Sequence, residues 1–356
     1  MGALAFAELL RQQRLECGLT QEELAERAKL SVRAISDLER GINHSPRPST
    51  LRMLCSGMGM GASDAAALLA AARGHAASAR TRPRFDIRYA TRADGARTAY
   101  GTLGSGPALV IAPTVISHLE WWESAPGVMT FLGPIAEHRT IVLYDRHGCG
   151  LSDRDRTDFT ADDDMRDIEA VAEALGEDRL DLFGSSWGAQ PVLTFAARYP
   201  ERVRRLVVYG AVSPSRDRPL SDQVRHRRAA MAALRRADLE LYVRAMAVML
   251  FPSGLDSNTL ASFVRIHRIA APVEMQEQLD TVSFDWEPVH KITAPTLVLH
   301  RRGDLAAPFD SGQRLAQAIP GARFLPLDGD AHVQWIGDTE SIVTPTLQFL
   351  LDRRMN

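Results

Sequence analysis

The sequence predicts a chain of two unlike folds. An all-α helical bundle spans about residues 1–73, and a mostly parallel α/β domain with a helical insertion spans 85–356. Three observations lead there. A capping signal opens a pair of short amphipathic helices near the N-terminus. From Phe85 onward, apolar strand runs alternate with helical stretches, the pattern of a sheet covered on both faces. At 356 residues and 45% hydrophobic side chains, the chain also exceeds the length at which one core ordinarily divides.

Thr20-Gln21-Glu22-Glu23 is a capping box, with the Thr20 hydroxyl set to accept from the Glu23 amide and the Glu23 carboxylate to return the bond, so a helix starts at Gln21 and buries Leu24 and Ala28. Leu30 lies in the turn that follows. Ser31 caps a second helix, Val32 to Arg40, which turns Ile35 and Leu38 inward and ends at Gly41. Ala25 is small where the two helices must approach, and the pair reads as a helix-turn-helix. Leu51 to Leu54 and the run Ala65 to Ala72 read as closing helices, and 74–84, small and polar with a proline near its end, as a linker. Residues 1–80 carry a net charge of +2 and the remainder −4, which together make the chain's −2. That asymmetry has the sign of a nucleic-acid module.

Through Gly18-Leu19-Thr20-Gln21-Glu22-Glu23-Leu24-Ala25-Glu26-Arg27-Ala28 and Ser31-Val32-Arg33-Ala34-Ile35-Ser36-Asp37-Leu38-Glu39-Arg40-Gly41, residues 5–73 resemble the Cro/repressor-type (XRE) helix-turn-helix family. The resemblance implies that Gln21 clamps a phosphate, and that Arg33 and Ser36, with Ser31 beside them, face the major groove, where Arg33 can fork onto guanine O6/N7. It also implies backbone contacts from Arg40, Asn43 and Arg47. Lys29 stands where that family usually has a glycine, so a lysine with positive φ is expected. The loop 42–45 holds no arginine; modest affinity and a homodimer on an inverted repeat of double-stranded DNA are the expectation. The alternative is a bundle that serves only assembly.

In the second part, Ile87 to Thr91 and Ala96 to Tyr100, joined around Asp94-Gly95, form an opening hairpin. Ala108 to Ala112 and Thr140 to Tyr144 are buried strands. After the apolar run Leu180 to Phe183 comes Gly184-Ser185-Ser186-Trp187-Gly188, a Gly-x-Ser-x-Gly at a strand-to-helix turn, which presents a serine as a nucleophile. An acid and then a histidine follow in chain order, each after its own strand: Asp304 after Thr296 to His300, and His332 in the exit loop of Ala322 to Leu327. Asp330 competes for the acid role and reads as a loop residue. His118, His138, His267 and His300 read as surface or packing residues. No residues show metal-ligand spacing, and no cofactor is expected.

Asp145-Arg146-His147-Gly148-Cys149-Gly150-Leu151-Ser152-Asp153 looks like the Asp-x-Arg-Gly-x-Gly-x-Ser turn of the α/β-hydrolase superfamily, and with the Ser186 elbow, Asp304 and His332 the resemblance covers 85–354. It implies acyl transfer: His332 takes the Ser186 proton, Asp304 fixes the imidazole, and an oxyanion is held by Trp187 N–H and a second amide at Val115. Thr114, in Pro113-Thr114-Val115, replaces the family's usual glycine. Residues 213–289, helical and rich in arginine and methionine, occupy the place of the family's cap and should roof the substrate pocket. Trp121, Trp122, Trp187 and Trp335 point to a hydrophobic acyl or lactone pocket.

The N-terminus lacks the basic segment and cleavage site of a signal peptide, no apolar run reaches membrane-helix length, and Cys17, Cys55 and Cys149 form no paired spacing. A cytoplasmic location is expected. The expected function is a transcriptional regulator whose hydrolase domain binds, and hydrolyses, a small apolar ester, lactone or thioester. Two alternatives stand beside it: a serine esterase with an assembly bundle, and a catalytically silent ligand sensor.

Overall fold

Thr20 opens the first helix of the pair as its sequence directs: Glu23 N–H donates to Thr20 Oγ1 at 3.1 Å and Thr20 N–H to Glu23 Oε2 at 2.7 Å. The computed structural model describes residues 6–42, 46–60, 68, 84–155, 158–211, 222–282 and 289–352. The chain divides into two compact units, Met1–Pro83 and Arg84–Asn356.

In the first unit, α1 (Phe6–Glu16), α2 (Gln21–Ala28), α3 (Val32–Glu39) and α4 (Pro48–Gly57) enclose Phe6, Leu10, Leu24, Ile35, Leu38 and Leu54. Recognition helix α3 ends one residue short of its expected end, with Arg40 as its C-cap. Lys29 has φ 53° and ψ 42°, the left-handed turn expected where a glycine is usual. Arg14 and Glu39 join α1 to α3 by a two-pronged ion pair, 2.6 and 3.0 Å. The Ala65 to Ala72 run, apart from buried helical Leu68, and the stretch 74–83 lie outside the described residues.

The second unit is built on eight strands: β1 (Asp86–Thr91), β2 (Arg97–Gly104), β3 (Ala108–Ala112), β4 (Thr140–Tyr144), β5 (Leu180–Ser185), β6 (Val203–Tyr209), β7 (Thr296–Arg301) and β8 (Arg323–Leu327). Their order in the sheet is β1-β2-β4-β3-β5-β6-β7-β8. The β1–β2 and β2–β4 pairs are antiparallel, and every other pair is parallel. Alternate residues go to opposite faces: Leu109, Ile111, Phe183, Val207 and Leu299 to one core, Val110, Leu182, Val208 and Val298 to the other. Two buried faces are why β3, Ala108-Leu109-Val110-Ile111-Ala112, reads as an unbroken apolar run.

Around the sheet stand α5 (Leu119–Ser124), α6 (Val128–Ala136), α7 (Ala161–Leu175), α8 (Ala189–Arg198), α13 (Phe309–Ala318) and α14 (Glu340–Leu351). The insertion between β6 and β7 is helical, as its position and composition predict: α9 (Asp222–Ala237), α10 (Leu239–Leu250), α11 (Ser257–Ala270) and α12 (Val273–Asp280). Met231, Leu234 and Met246 pack with Tyr242, Val243 and Val264 into a small core of this cap. No helix among the described residues is long and apolar enough to cross a membrane.

Candidate active site

β5 runs straight into the elbow. Ser186 has φ 52°, shared among described non-glycine residues only with Lys29. A sharp strand-to-helix turn forces that backbone and leaves no room for neighbouring side chains. A Cβ on Gly184 would lie 2.4 Å from Val192 Cγ2, and one on Gly188 2.5 Å from Pro113 O. The second contact also shows how close the loop after β3 comes to the elbow, as the β3–β5 register, Ala112 opposite Gly184, requires.

Asp304 and His332 come to the same point from the ends of β7 and β8. His332 Nδ1 is 2.7 Å from Asp304 Oδ2, and His332 Nε2 is 2.6 Å from Ser186 Oγ. With Nδ1–H donating to the carboxylate, Nε2 is left to accept the Ser186 hydroxyl proton. The other carboxylate oxygen, Asp304 Oδ1, accepts from Ala306 N–H and Ala307 N–H, each at 2.9 Å, so the acid is held from both sides. Asp304 and His332 are 5% and 4% exposed, and burial strengthens the chain by thinning the screening solvent. Asp330 stands apart from it, accepting from Ser253 Oγ at 2.5 Å. His300 is a fully buried packing residue whose Nε2 donates to Ala307 O, 2.9 Å away; burial lowers its pKa.

The serine opens on a cavity of about 180 Å³. Trp121, Trp122 and Trp335 form one wall, packed edge to face with ring centroids 4.8 to 6.0 Å apart. The cap closes the other side with Met246, Leu250 and Phe263 and with a polar strip of Arg235, Tyr242, His267, Gln276 and Asp280. His267, expected as a surface or packing residue, is a cavity residue as well. Val115 and Trp187 line the cavity beside Ser186. Thr114 has no positive φ, so its place in the glycine position carries no left-handed strain.

The residues assigned to DNA lie on the first unit. Ser31 caps α3, accepting from Ala34 N–H at 3.1 Å, and is exposed. Arg33 is 91% exposed along its side chain and 3.8 Å from Asp37, which also accepts from Arg40 at 2.7 Å. Ser36 is half-buried, and its carbonyl accepts from Arg40 Nε at 3.3 Å. Arg47 is exposed at the N-terminus of α4. Gln21 is half-buried, and its amide donates to Glu39 Oε2 at 2.8 Å. Asn43 lies outside the described residues.

A family model described as the alpha/beta hydrolase fold matches residues 107–338. The chain belongs to the α/β-hydrolase fold family. A second model, described as a helix-turn-helix domain, matches residues 5–81. Among curated relatives, a 2-hydroxy-6-oxo-2,4-heptadienoate hydrolase of Pseudomonas putida is 28% identical over 237 residues, 64% of this chain and 83% of its own. A pyrrolizixenacetamide deacetylase of Xenorhabdus hominickii is 26% identical over 270 residues, 72% of this chain and 95% of its own. An enol-lactonase from Burkholderia xenovorans shares the fold, with a TM-score of 0.60 and 23% identity, over 74% of this chain and 100% of its own.

Two arginines of the α/β-hydrolase unit brace the site in a role the sequence did not suggest, although Arg146 stands within the glycine turn after β4. Arg146, 2% exposed, grips Asp164 at 2.7 and 3.0 Å, donates to Val115 O at 2.9 Å, and stacks with its guanidinium carbon 3.8 Å from the Trp187 ring centroid. One side chain thereby touches both segments that flank Ser186. Arg301 donates to Ala331 O, Ile336 O and Asp338 O at 2.8 to 3.0 Å, and Tyr209 OH also donates to Ala331 O, at 2.8 Å. These bonds fasten the loop that carries His332.

Proposed function

We propose that this chain is a transcriptional regulator: its helix-turn-helix unit binds double-stranded DNA, and its α/β-hydrolase unit is a serine hydrolase of a small apolar ester, lactone or thioester. The observation that carries the enzymatic reading is the unbroken hydrogen-bond chain Ser186–His332–Asp304 at the floor of an apolar cavity. In this reading His332 Nε2 takes the Ser186 proton as Oγ attacks the carbonyl carbon, and Asp304 steadies the imidazolium. The tetrahedral oxyanion is held by the Trp187 and Val115 amides, whose residues both line the cavity beside Ser186. The imidazolium then protonates the leaving oxygen or sulfur, and water activated by the same base releases the acid.

The relatives support hydrolysis in general: two act, by name, as a hydrolase and a deacetylase. The DNA reading rests on exposed Ser31, Arg33 and Arg47 beside the helix-turn-helix match. One recognition helix reads a half-site, so a homodimer on an inverted repeat belongs to the proposal, as does a cytoplasmic location. A second reading, in which the bundle serves only assembly, draws on Asp37, whose carboxylate neutralises Arg33 and Arg40 on the recognition helix itself. The deciding test of the enzymatic reading is a fluorophosphonate probe on the full chain, with covalent labelling that Ser186→Ala abolishes. Undiminished labelling of that variant overturns it. Gel shifts against genomic fragments decide between regulator and assembly bundle.

A further inference from the structure

Gln334 stands two residues beyond His332, is 2% exposed, and lines the cavity. Its carboxamide makes no hydrogen bond to any described residue. Buried amides are ordinarily paired, because leaving one unmet forfeits its hydration with nothing in return. A carboxamide left open at a cavity wall is a group awaiting a partner in that cavity.

The charges around the cavity narrow what that partner is. Arg235 is the one permanent cation among the lining residues, and its charge is matched through one nitrogen: Nη2 lies 2.7 Å from Asp280 Oδ2 and 2.5 Å from Tyr242 OH, while its buried Nε has no hydrogen-bond partner among the described residues. His267 donates from Nδ1 to Phe263 O at 3.0 Å, so its Nε2 presents a lone pair. Burial pushes its pKa down to about 4, so it brings no positive charge at neutral pH. A carboxylate entering here meets the Asp280 carboxylate and a lone pair, and the one lining cation, Arg235, already has its charge matched by Asp280. An uncharged ligand meets no such penalty, and the walls of Trp121, Trp122, Trp335 and Phe263 suit its apolar part.

We propose that the cavity takes an uncharged ester or lactone bearing an amide within a few bonds of the scissile carbonyl, and that Gln334 reads this amide. A carboxamide both donates and accepts, and a second amide is its full complement; a bare alkyl chain offers it nothing. The closeness to the carbonyl follows from chain position: His332 is 2.6 Å from Ser186 Oγ, and Gln334 is on the same loop. The inference rests on Ser186 as nucleophile, and the test separates the two.

Three p-nitrophenyl esters of equal acyl length serve as probes on the full-length protein: hexanoate, N-propionylglycinate and the adipate monoester. The readout is the ratio of kcat/KM for the amide ester to that for hexanoate, compared between wild type and variant so that intrinsic ester reactivity cancels. Gln334→Met is expected to lower that ratio by about tenfold or more, and Gln334→Glu, nearly isosteric, to lower it as well. Titration calorimetry with Ser186→Ala protein reads binding without turnover, with the amide ester tightest and the adipate monoester weakest. If no ester is cleaved and the fluorophosphonate does not label, the nucleophile reading fails alone, and the calorimetric order still decides this one. An amide-to-hexanoate ratio unchanged in both Gln334 variants, equal affinities for the amide and alkyl esters, or tightest binding of the adipate monoester overturns it.

Discussion

Ser186, Asp304 and His332 were legible as residues because an elbow motif, an acid and a histidine in fixed chain order each follow their own strand. What the order does not contain is the support. Arg146 and Arg301 act through contacts with segments about 30 to 40 residues away in sequence, and nothing local marks a buried arginine as different from a surface one. His332→Ala is expected to match Ser186→Ala in ester cleavage, and the double variant to be no worse than either single one, since the remaining member has nothing left to act on. Initial rates on p-nitrophenyl hexanoate check this, and a double variant slower than both singles contradicts a unit that acts as one. Arg146 has a different signature. Replacing it together with its partner, Arg146→Gln with Asp164→Asn, avoids stranding a buried charge but releases the Val115 carbonyl and the Trp187 ring. The expected result is a kcat lowered by about 10- to 100-fold with KM little changed, because donors in the oxyanion role proposed for Val115 and Trp187 work only in the transition state. A change in KM alone contradicts that role.

Among the elements, the capping box, the two helices of the DNA-type motif and seven of the eight strands were expected from the sequence near their observed positions. β6 was not singled out. Its sequence, Val203-Arg204-Arg205-Leu206-Val207-Val208-Tyr209, interrupts the apolar run with two arginines, and these find Asp181 on neighbouring β5, at 3.8 and 4.0 Å. A tertiary ion cluster thus hides a core strand from a reading based on hydropathy. The cap offers a test of its own through His267 on α11. Its folded pKa is pushed down to about 4 by burial, aided by Arg235 and opposed by the Phe263 carbonyl and Asp280; unfolded, it titrates near 6.5. Between those values the unfolded chain binds a proton that the folded chain refuses, so this contribution is intact above about pH 6.5 and is lost as pH falls toward 4, by up to about 3 kcal/mol. Asp145 and Asp164, raised by burial to about 6, titrate with the opposite sign. The clean measurement is therefore the difference in urea unfolding free energy between wild type and His267→Gln at pH 7.5 and 4.5. A difference independent of pH contradicts the buried neutral imidazole.

At the scale of the whole molecule, the fusion of a helix-turn-helix unit to a hydrolase unit matters only if occupancy of one changes the other. A ligand that binds two arrangements of a dimer equally shifts neither. Arg33→Ala is expected to weaken operator binding with ester cleavage unchanged, whereas a covalent Ser186 adduct is expected to change operator affinity by about 1–3 kcal/mol, roughly 5- to 150-fold. Gel shifts with and without the adduct, on an inverted repeat with half-sites about 10 base pairs apart, check both. Identical affinity across several acyl sizes leaves two independent units. The tryptophans make that question observable without a label. The chain holds five, none of them before Pro83, and Trp121, Trp122, Trp187 and Trp335 all line the cavity. Light at the red edge of protein absorption therefore excites the hydrolase unit alone, and its emission reports almost entirely on the cavity: a guest that displaces water from the indoles shifts the spectrum, while an operator fragment moves it only if the message crosses between units. The molecule carries its own optical readout of whether it is a sensor.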